Sequence, residues 1–587
     1  MGSLGTYQVP EWYHSEVLRP IKVICIGAGI SGLCLAYKMM KLLDSFELTI
    51  YEKNDDVGGT WLENRYPGCA CDIPAHIYTF TFDPKPDWSE YYAGSKEIHG
   101  YCRGFYEKHN IAQFTKLSHA VKEAVWDENT SKWRLEIEDR TSTPSRIFRD
   151  ECDVLINGAG FLNKWSWPNI PGIETFQKPK LHSARWDASL DLKNKTVGLI
   201  GNGSSGIQIL PQIAKDVAKL KVFMRSPTWI SPALGGSVAL QFQDEHGGEH
   251  QSTSDANPGS TKGNKHEQFT FTEEEKEQFR ADPQAHLQFR RRIEAEMNVL
   301  TDMFINGSST QQQMHKFMVQ QMKDRMGPGN EELKAKIIPQ WAPGCRRITP
   351  GDGYLETLVQ PHVEPIFGEI HRLTETAVQM VDGTLHDVDV LVCATGFDTS
   401  FIPPFPVIGR GGVSMETAWK NIPDAYLGIA APRFPNYFMT TGPQGPLGNG
   451  TILPAIETAC EYFITVMKKM QEEKIKSVEP KRRATDQFHE HMSAFHKKTV
   501  WGLPCRSWYK NGTVDGEPQL WCGSALTYVK TIKVPRFEDY EFEYENDNQW
   551  AFLGNGKIKA FYEQVDGKPN IDGLAPYIRN DDSPWTI

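Results

Sequence analysis

The sequence lacks the long apolar runs and basic segments that indicate a membrane span or a nucleic-acid partner. No uninterrupted apolar stretch reaches the ~18 residues of a membrane span, and no secretory signal is recognised. The 63 basic and 74 acidic residues give a net charge of −11, whereas nucleic-acid binders normally carry a basic surface. We therefore expect a cytoplasmic protein with neither nucleic acid nor membrane as a partner.

Cysteine is scarce, and clusters of metal ligands are missing from the sequence. The 11 cysteines are scattered over 587 residues, which favours reduced thiols over a disulfide framework. Cys69 and Cys71 form a C-x-C without a second pair or a histidine cluster nearby, so no metal site is expected. Residues 1–6 match the myristoylation pattern, but one acyl chain would anchor a protein only weakly.

Glycine and proline are also too few for a low-complexity chain. The 49 glycines and 37 prolines make up about 15% of the sequence, below the roughly 25–30% of such chains. Two segments instead share one local plan: a short apolar strand, a G-x-G-x-x-G turn and a helix start. The turns are residues 27–32 and 201–206. Glycines at these positions permit the bend and let the backbone approach a pyrophosphate at the helix N-terminus.

Two further apolar strands, at residues 153–160 and 389–397, end in small glycine-containing turns. This order predicts an α/β fold with two Rossmann-like dinucleotide-binding domains, the second inserted in the first. Residues 1–165 and 385–587 would form the first domain and 166–384 the second, with a helical insertion at about 235–345 and an exposed polar loop at 241–268. Met314, Met318 and Met322, spaced at i, i+4 and i+8, are expected to face a core.

The two predicted nucleotide sites differ in the residue at the end of the strand that follows each glycine turn. In the first, Glu52 ends the strand at residues 48–52, and a carboxylate there accepts a hydrogen bond from a free ribose 2′-OH, as in FAD or NAD. In the second, Arg225 and Ser226 occupy the corresponding place and suit the 2′-phosphate of NADP. A site for FAD or NAD and a site for NADP in one chain predict a flavoprotein that receives hydride from NADPH.

Residues 57–72 (VGGTWLENRYPGCACD) and 176–187 (FQKPKLHSARWD) carry the most specific motifs. They closely resemble the signatures of type I Baeyer–Villiger monooxygenases, and the resemblance extends over nearly the whole chain. The opening at residues 9–16 is similar to that of fungal members, many of which serve secondary metabolism. Lys178 stands where the long fingerprint has glycine, which puts a tight turn with positive φ at that point in doubt.

The resemblance implies the residues that contact each cofactor. FAD would be bound by Gly27, Gly29, Ser31, Gly32 and Glu52, with Thr60, Trp61, Asp72, Tyr78 and Val121 nearby. NADPH would be bound by Asn202, Gly203, Ser204, Ser205, Gly206, Ile207, Gln208, Arg225 and Ser226, with Arg346, Arg347 and Trp508. Trp508 matches the tryptophan of the family's mobile loop over the nicotinamide ribose, and the stretch 440–450 matches a loop beside the flavin.

The resemblance also implies the reaction, in which NADPH reduces FAD, O2 adds to the flavin C4a, and the resulting peroxide attacks a ketone to give an ester or lactone. Arg347 would be catalytic, because a guanidinium supplies charge without releasing a proton. Asp72 would orient it, and His182 would be structural. Two alternatives stay open: a flavin-dependent N- or S-oxygenase, whose members usually lack Trp186, and a degenerate flavoprotein without activity.

Overall fold

Two five-stranded parallel sheets carry the two glycine turns. The protein is described here by a computed structural model covering residues 7–14, 18–238, 241, 269–448 and 450–584. The predicted polar loop, apart from Gln241, and the acylation pattern at residues 1–6 lie outside these ranges. In the part of the chain that is described, no helix is long and apolar enough to cross a membrane.

The first sheet combines strands from both ends of the chain. Its strands are fully parallel and follow the spatial order Tyr437–Met439, Val154–Asn157, Ile21–Ile26, Phe46–Tyr51 and Thr115–Lys116. The helix Ile30–Leu42 connects the two strands that flank the first glycine turn. The apolar residues Val23, Ile24 and Ile50 are completely buried, as expected for a sheet covered on both faces.

The second sheet is also parallel throughout. Its strands follow the spatial order Val363–Phe367, Lys219–Met224, Thr196–Ile200, Val390–Cys393 and Lys180–His182, with the helix Ser204–Ile213 after the second turn. The strand Val390–Cys393 therefore belongs to the second sheet, although the predicted boundary at 384/385 assigned it to the first domain. We propose that the chain returns to the first domain after residue 393.

Smaller sheets extend each unit. The first unit carries a sheet made of Val407–Ile408, His119–Asp127, Lys132–Asp139 and Arg146–Cys152. The second carries an antiparallel sheet of Ile370–Leu373, Ala377–Met380 and Leu385–Asp387. Strand pairs are formed by Ile230–Ser231 with Thr349–Pro350, by Ile475–Pro480 with Tyr540–Tyr544, and by Gln564–Val565 with Lys568–Pro569.

Helices cover both sheets and form the predicted insertion. The stretch predicted as an insertion contains Glu273–Ala281, Pro283–Val299, Ser309–Arg325 and Glu331–Ile337. Other helices among the described residues include Thr60–Glu63, Ser95–Lys108, Tyr354–Leu358, Met415–Ala418, Ile452–Glu472, Arg482–His496, Ala525–Ile532 and Ile571–Leu574. Met318 and Met322 are completely buried and Met314 packs beside them, so the prediction that these residues face a core is confirmed.

The two units meet closely at the Tyr66–Gly68 turn of the long motif. Gln208 on the second unit donates to the Ala70 carbonyl at 2.9 Å and accepts from the Tyr66 hydroxyl at 2.8 Å. Gly68 has φ +77°, and a Cβ there would lie 2.6 Å from the Gln208 carbonyl oxygen. Only glycine fits this contact, which gives the Y-P-G motif a physical reason: it lets the two units approach.

The expectation of reduced thiols is confirmed for nine of the eleven cysteines and is wrong for the other two. Cys345 and Cys505 form a disulfide, with their Cα atoms 6.6 Å apart, within the usual range for such a bond. The other cysteines are free, and all of them except Cys522 are buried. Within the described residues, no group of three or more His, Cys, Asp or Glu side chains is placed to hold a metal ion.

Candidate active site

The first glycine turn leaves its helix N-terminus open for an anion. Gly29 is the N-cap of the helix Ile30–Leu42 and has no side chain to cap it. A Cβ at Gly32 would lie 2.2 Å from the Gly27 carbonyl oxygen, so this glycine permits the close packing of turn and helix. The Ser31 hydroxyl accepts from the Thr440 hydroxyl at 2.8 Å. The first backbone N–H groups of a helix have no partner within the helix, and together with the helix dipole they are suited to a pyrophosphate.

Glu52 is buried beside this turn. Its Oε2 accepts from the Ala28 amide at 2.8 Å, and its Oε1 accepts from the Asn54 amide at 2.9 Å. Burial raises the pKa of Glu52, while these two backbone hydrogen bonds act in the opposite direction. A buried carboxylate that retains free lone pairs fits a ribose hydroxyl donor. The helix N-terminus and the Glu52 carboxylate together therefore fit FAD.

The other residues predicted near FAD surround the same turn. Trp61 is buried, with its ring 5.5 Å from that of Tyr78 in an edge-to-face arrangement. Thr60 begins the short helix Thr60–Glu63 and is exposed. Val121 lies on the strand His119–Asp127, which begins where the His119 amide donates to the Glu52 carbonyl at 2.7 Å.

A buried histidine pair joins the insertion to the segment after Asp72. His76 Nδ1 and His286 Nε2 share a hydrogen bond of 2.8 Å, and Arg290 Nε donates to the His76 carbonyl at 2.9 Å. Burial lowers the pKa of both histidines, that of His286 to about 4. The pair is therefore neutral at ordinary pH and fixes the helix Pro283–Val299 onto the site.

The second glycine turn repeats the backbone arrangement of the first. Gly203 is the N-cap of the helix Ser204–Ile213, and a Cβ there would meet no described atom within 4 Å. Ser204 shares a hydrogen bond of 3.0 Å with the Thr349 hydroxyl. Asn202 Nδ2 donates to the Ser226 carbonyl at 2.9 Å, which ties the turn to the end of the next strand. Ser205, Gly206 and Ile207 form the first turn of the helix.

Basic side chains gather beside Ser226. Arg346 Nη1 donates to the Ser226 hydroxyl at 3.1 Å, and its guanidinium lies 4.6 Å from the ring of Trp341. Burial lowers the pKa of Arg346, and the nearby charges of Arg225 and Arg506 lower it further. A dianionic phosphate would relieve this repulsion between like charges. The arginine cluster, defined as Arg225, Arg346 and Arg506, fits the 2′-phosphate of NADPH.

Arg347 and Asp72 form a bidentate ion pair between the two units. Arg347 Nε and Nη2 each donate to one carboxylate oxygen of Asp72 at 2.7 Å. The Arg347 side chain is 32% exposed and that of Asp72 is 17% exposed. The charge of Asp72 raises the pKa of Arg347, which outweighs the opposite effect of burial. Asp72 therefore holds the guanidinium in one plane and keeps it charged.

An aromatic segment lies next to this pair and connects it to a cavity. Arg347 Nη1 donates to the Leu447 carbonyl at 3.4 Å, within the stretch 440–450 that was expected beside the flavin. Burial raises the pKa of Tyr509 to about 12, although the adjacent Arg347 lowers it. Trp508 stacks on Phe161 with ring centroids 5.5 Å apart. Phe161 lines a cavity at the carboxyl edge of the first sheet, together with Asn157, Gly160, Asp398, Phe401 and Thr441.

His182 joins the linkers between the units rather than the cavity. It is completely buried and stacks on Trp165 at 4.7 Å, and its Nδ1 accepts from the Ala184 amide at 3.1 Å. Burial lowers its pKa to about 4. Lys178, a few residues earlier, is not among the residues with positive φ; Gly172, with φ +89°, has that role in this stretch. The doubt that Lys178 raised concerning the turn is therefore resolved.

Comparison with known proteins identifies the family. A family model described as an NAD(P)-binding Rossmann-like domain matches residues 25–94. The FAD-binding monooxygenase tazF of Aspergillus terreus is 39% identical over 555 residues, covering 94% of each chain. The FAD-binding monooxygenase moxY of Dothistroma septosporum is 36% identical and covers all of this chain and 89% of its own.

This chain belongs to the FAD-binding monooxygenases. A Baeyer–Villiger monooxygenase of Pseudomonas aeruginosa is 28% identical over 86% of this chain and 88% of its own. A cyclohexanone monooxygenase from Rhodococcus sp. Phi1, solved with NADP+, has the same fold, with a TM-score of 0.73 and 24% identity over 89% of this chain and 99% of that one. The predicted α/β fold and the resemblance to Baeyer–Villiger monooxygenases are confirmed.

In this FAD-binding monooxygenase, the structure brings together residues that the motifs indicated separately. Asp72 and Arg347, 275 positions apart, are in direct contact. Tyr509, Phe161 and Arg506 were not predicted as site residues. The position of Tyr509 directly after Trp508 was the one available signal for it, whereas the contacts of Phe161 and Arg506 depend on the tertiary structure.

Proposed function

We propose that this monooxygenase uses FAD and NADPH to insert one atom of O2 next to the carbonyl of a ketone, giving an ester or a lactone. The observation that carries the proposal is the bidentate pair of Arg347 with Asp72, placed between a turn that fits FAD and a cluster that fits NADPH. When bound, FAD would accept hydride from NADPH and activate O2.

Arg347 would supply a fixed positive charge at the reacting atoms. A guanidinium stays protonated at any accessible pH, and Asp72 raises the pKa of this one further. It therefore stabilises negative charge on oxygen without delivering the proton that would divert the reaction to hydrogen peroxide. Its free N–H groups can donate to the ketone oxygen as that atom becomes negatively charged, a contribution of typically ~2.7–4 kcal/mol per donor.

Asp72, Tyr509 and Trp508 would act by position. Asp72 binds two of the guanidinium donors and so aims the rest toward the stretch that contains Leu447. Tyr509 is buried against Arg347, and Trp508 covers Phe161 at the cavity. Tyr509 thus keeps water from one side of the guanidinium, which strengthens the electrostatic effect of Arg347. We also propose that the enzyme works in the cytoplasm, where NADPH is available.

The test is product analysis of the purified holoenzyme with NADPH and ¹⁸O2. Cyclic and linear ketones, a soft amine and a sulfide would be offered separately. We expect esters or lactones that carry one ¹⁸O atom, with one product formed per NADPH consumed. Oxygenated amine or sulfide with no ester from any ketone would overturn the proposal in favour of an N- or S-oxygenase.

A further inference from the structure

The Cys345–Cys505 disulfide joins two functional segments that are 160 residues apart in the sequence. Cys345 directly precedes Arg346 and Arg347. Cys505 begins the segment 505–510, which contains Arg506, Trp508 and Tyr509 and is called the clasp segment below. The crosslink therefore connects the arginines of the proposed reaction to the clasp segment that covers them.

Hydrogen bonds of Arg346, the residue after Cys345, also hold the clasp segment in place. Arg346 Nε donates to the Arg506 carbonyl at 2.6 Å, while Arg346 Nη1 reaches the Ser226 hydroxyl at 3.1 Å and the Pro227 carbonyl at 3.3 Å. Arg346 thus bridges the clasp segment and the end of the second-sheet strand. The same arrangement adds the exposed Arg506 to the arginine cluster, where three like charges lie together.

The loop that carries the clasp segment has local hydrogen bonds in addition to the contacts of Trp508 with Phe161 and of Tyr509 with Arg347. Lys510 Nζ donates to the carbonyls of Leu503 and Val514 at 2.8 and 2.6 Å, and the Ser507 hydroxyl accepts from the Tyr509 amide at 3.2 Å. These local bonds can persist if the segment moves as a unit. The disulfide next to Arg506 acts together with the hydrogen bond from Arg346 to the Arg506 carbonyl to keep Arg506 within the arginine cluster despite charge repulsion.

We propose that the Cys345–Cys505 disulfide is a positioning device for NADPH binding and that its thiol–disulfide state sets the affinity for this cofactor. This inference deepens the proposed function and rests on it. With the bond formed, the clasp segment is held against the arginine cluster before the cofactor arrives. With the bond broken, the cofactor must order the segment on binding, and this ordering weakens the observed affinity.

The switching chemistry is ordinary thiol–disulfide exchange. One thiolate of a dithiol attacks one sulfur of the pair and forms a mixed disulfide, and the second thiolate of the dithiol then displaces that sulfur. Two electrons and two protons pass to Cys345 and Cys505, which become thiols, while the dithiol becomes a cyclic disulfide. Both cysteines are buried, with Cys505 5% exposed and Cys345 1% exposed, and we expect attack at the less buried Cys505 sulfur.

The experiment compares the holoenzyme before and after treatment with dithiothreitol, together with a Cys345→Ser/Cys505→Ser variant. Cys522→Ser is the matched control, because Cys522 is the most accessible free cysteine and lies outside the proposed site. Peptide mapping without reductant determines whether Cys345 and Cys505 are linked. Calorimetry with NADP+ gives the dissociation constant, and steady-state kinetics separate the KM for NADPH from kcat.

We expect the linked peptides in untreated enzyme and a roughly tenfold higher dissociation constant for NADP+ after reduction, equivalent to about 1.4 kcal/mol. The KM for NADPH should rise in parallel, with kcat at saturating NADPH little changed. Reoxidation should restore the affinity. The double variant should bind like the reduced enzyme and ignore dithiothreitol, whereas Cys522→Ser should respond as the unaltered enzyme does.

Absence of the linked peptides, or an NADP+ affinity that is the same with and without the bond, would overturn the inference. A lower unfolding temperature with unchanged affinity would show a merely structural crosslink and would also overturn it. Should the double variant not fold, reduction and reoxidation of the unaltered enzyme give the same test. If the affinity follows the bond but no ketone is oxygenated, the proposed function fails and the inference about NADP+ binding stands.

Discussion

The two glycine turns of this molecule share a backbone but differ in the side chains around them. Both begin a helix with a glycine N-cap after a buried parallel strand. Beside the first lies Glu52, which is 3% exposed and bonded to two backbone amides. Beside the second lie Arg225 and Arg506, both exposed, together with the partly buried Arg346. The backbone thus provides for a pyrophosphate, and the side chain after the next strand selects the nucleotide.

The two sites also differ in how readily each cofactor would exchange with solvent. A ligand held by a buried carboxylate is enclosed by the protein, whereas one held by exposed guanidinium groups can exchange with solvent. This difference matches a resident FAD and an exchanging NADPH. Arg347 lies between the two sites, paired with Asp72, a position that suits oxygen transfer beside both cofactors.

The largest expected effect comes from Arg347→Ala, which should separate reduction from oxygen transfer. Reduction of the flavin by NADPH should continue, because both nucleotide sites remain. Ester formation should fall by about 10²–10³, because a donor to the developing negative charge is lost, and hydrogen peroxide should replace the ester. Rapid-reaction absorbance and product analysis measure the two rates. Arg372→Ala, an exposed arginine on the small antiparallel sheet, serves as the control.

Glu52→Gln should weaken FAD binding. The amide keeps the shape of the side chain but loses the charge and presents an N–H to a backbone donor, and hydrogen bonds to charged groups contribute about 1.5–3 kcal/mol. The dissociation constant for FAD, measured by flavin fluorescence, should rise about 10- to 100-fold. Glu47→Gln, on an exposed position of the same strand, should leave it unchanged. Equal FAD affinity in the two variants would show that the Glu52 carboxylate does not bind FAD.

Arg225→Ala should act on the second site alone and mainly on NADPH. Loss of a charge-assisted bond to the 2′-phosphate should raise the KM for NADPH about tenfold, while the KM for NADH changes little. Lys219→Ala, at the other end of the same strand, is the control. Equal effects on the two nucleotides would show that the 2′-phosphate is bound elsewhere.

His182→Asn tests the buried linker between the two units through the pH dependence of stability. The pKa of His182 is about 4 in the folded protein, against about 6.5 in the unfolded chain. The unfolded chain therefore binds more protons between these values, so stability falls as pH falls through this window, by up to about 3 kcal/mol from this residue. Asparagine can still accept from the Ala184 amide but does not titrate.

The unfolding temperature of His182→Asn should consequently depend less on pH between 7 and 4.5 than that of the unaltered enzyme. Other buried histidines, such as His76 and His286, titrate in both proteins and cancel in the difference. Parallel pH profiles for the two proteins would contradict the role assigned to burial of His182.

Much of this arrangement could be predicted from local sequence. The glycine turns, Glu52 and the Arg225–Ser226 pair are each fixed by spacing within one strand–turn–helix unit, so their places followed from the chain alone. The pairing of Arg347 with Asp72 was reached through the family resemblance, because no local spacing relates residues that are 275 positions apart.

The features that could not be predicted from the sequence depend on contacts between distant parts of the chain. The strand Val390–Cys393 has the same apolar pattern whichever sheet it joins, so its place beside Thr196–Ile200 was not predictable. The His76–His286 bond and the Cys345–Cys505 bond join segments far apart in the chain. Their partners become evident only when the insertion and the clasp segment are folded onto the first unit.

The most direct test of the account is an experimental structure of the holoenzyme with FAD and NADP+. The account predicts the Arg347 guanidinium against the isoalloxazine ring and still bonded to Asp72, with Glu52 on the FAD ribose and the 2′-phosphate among Arg225, Ser226 and Arg346. An Arg347 side chain directed into solvent, away from the flavin, would contradict the central claim.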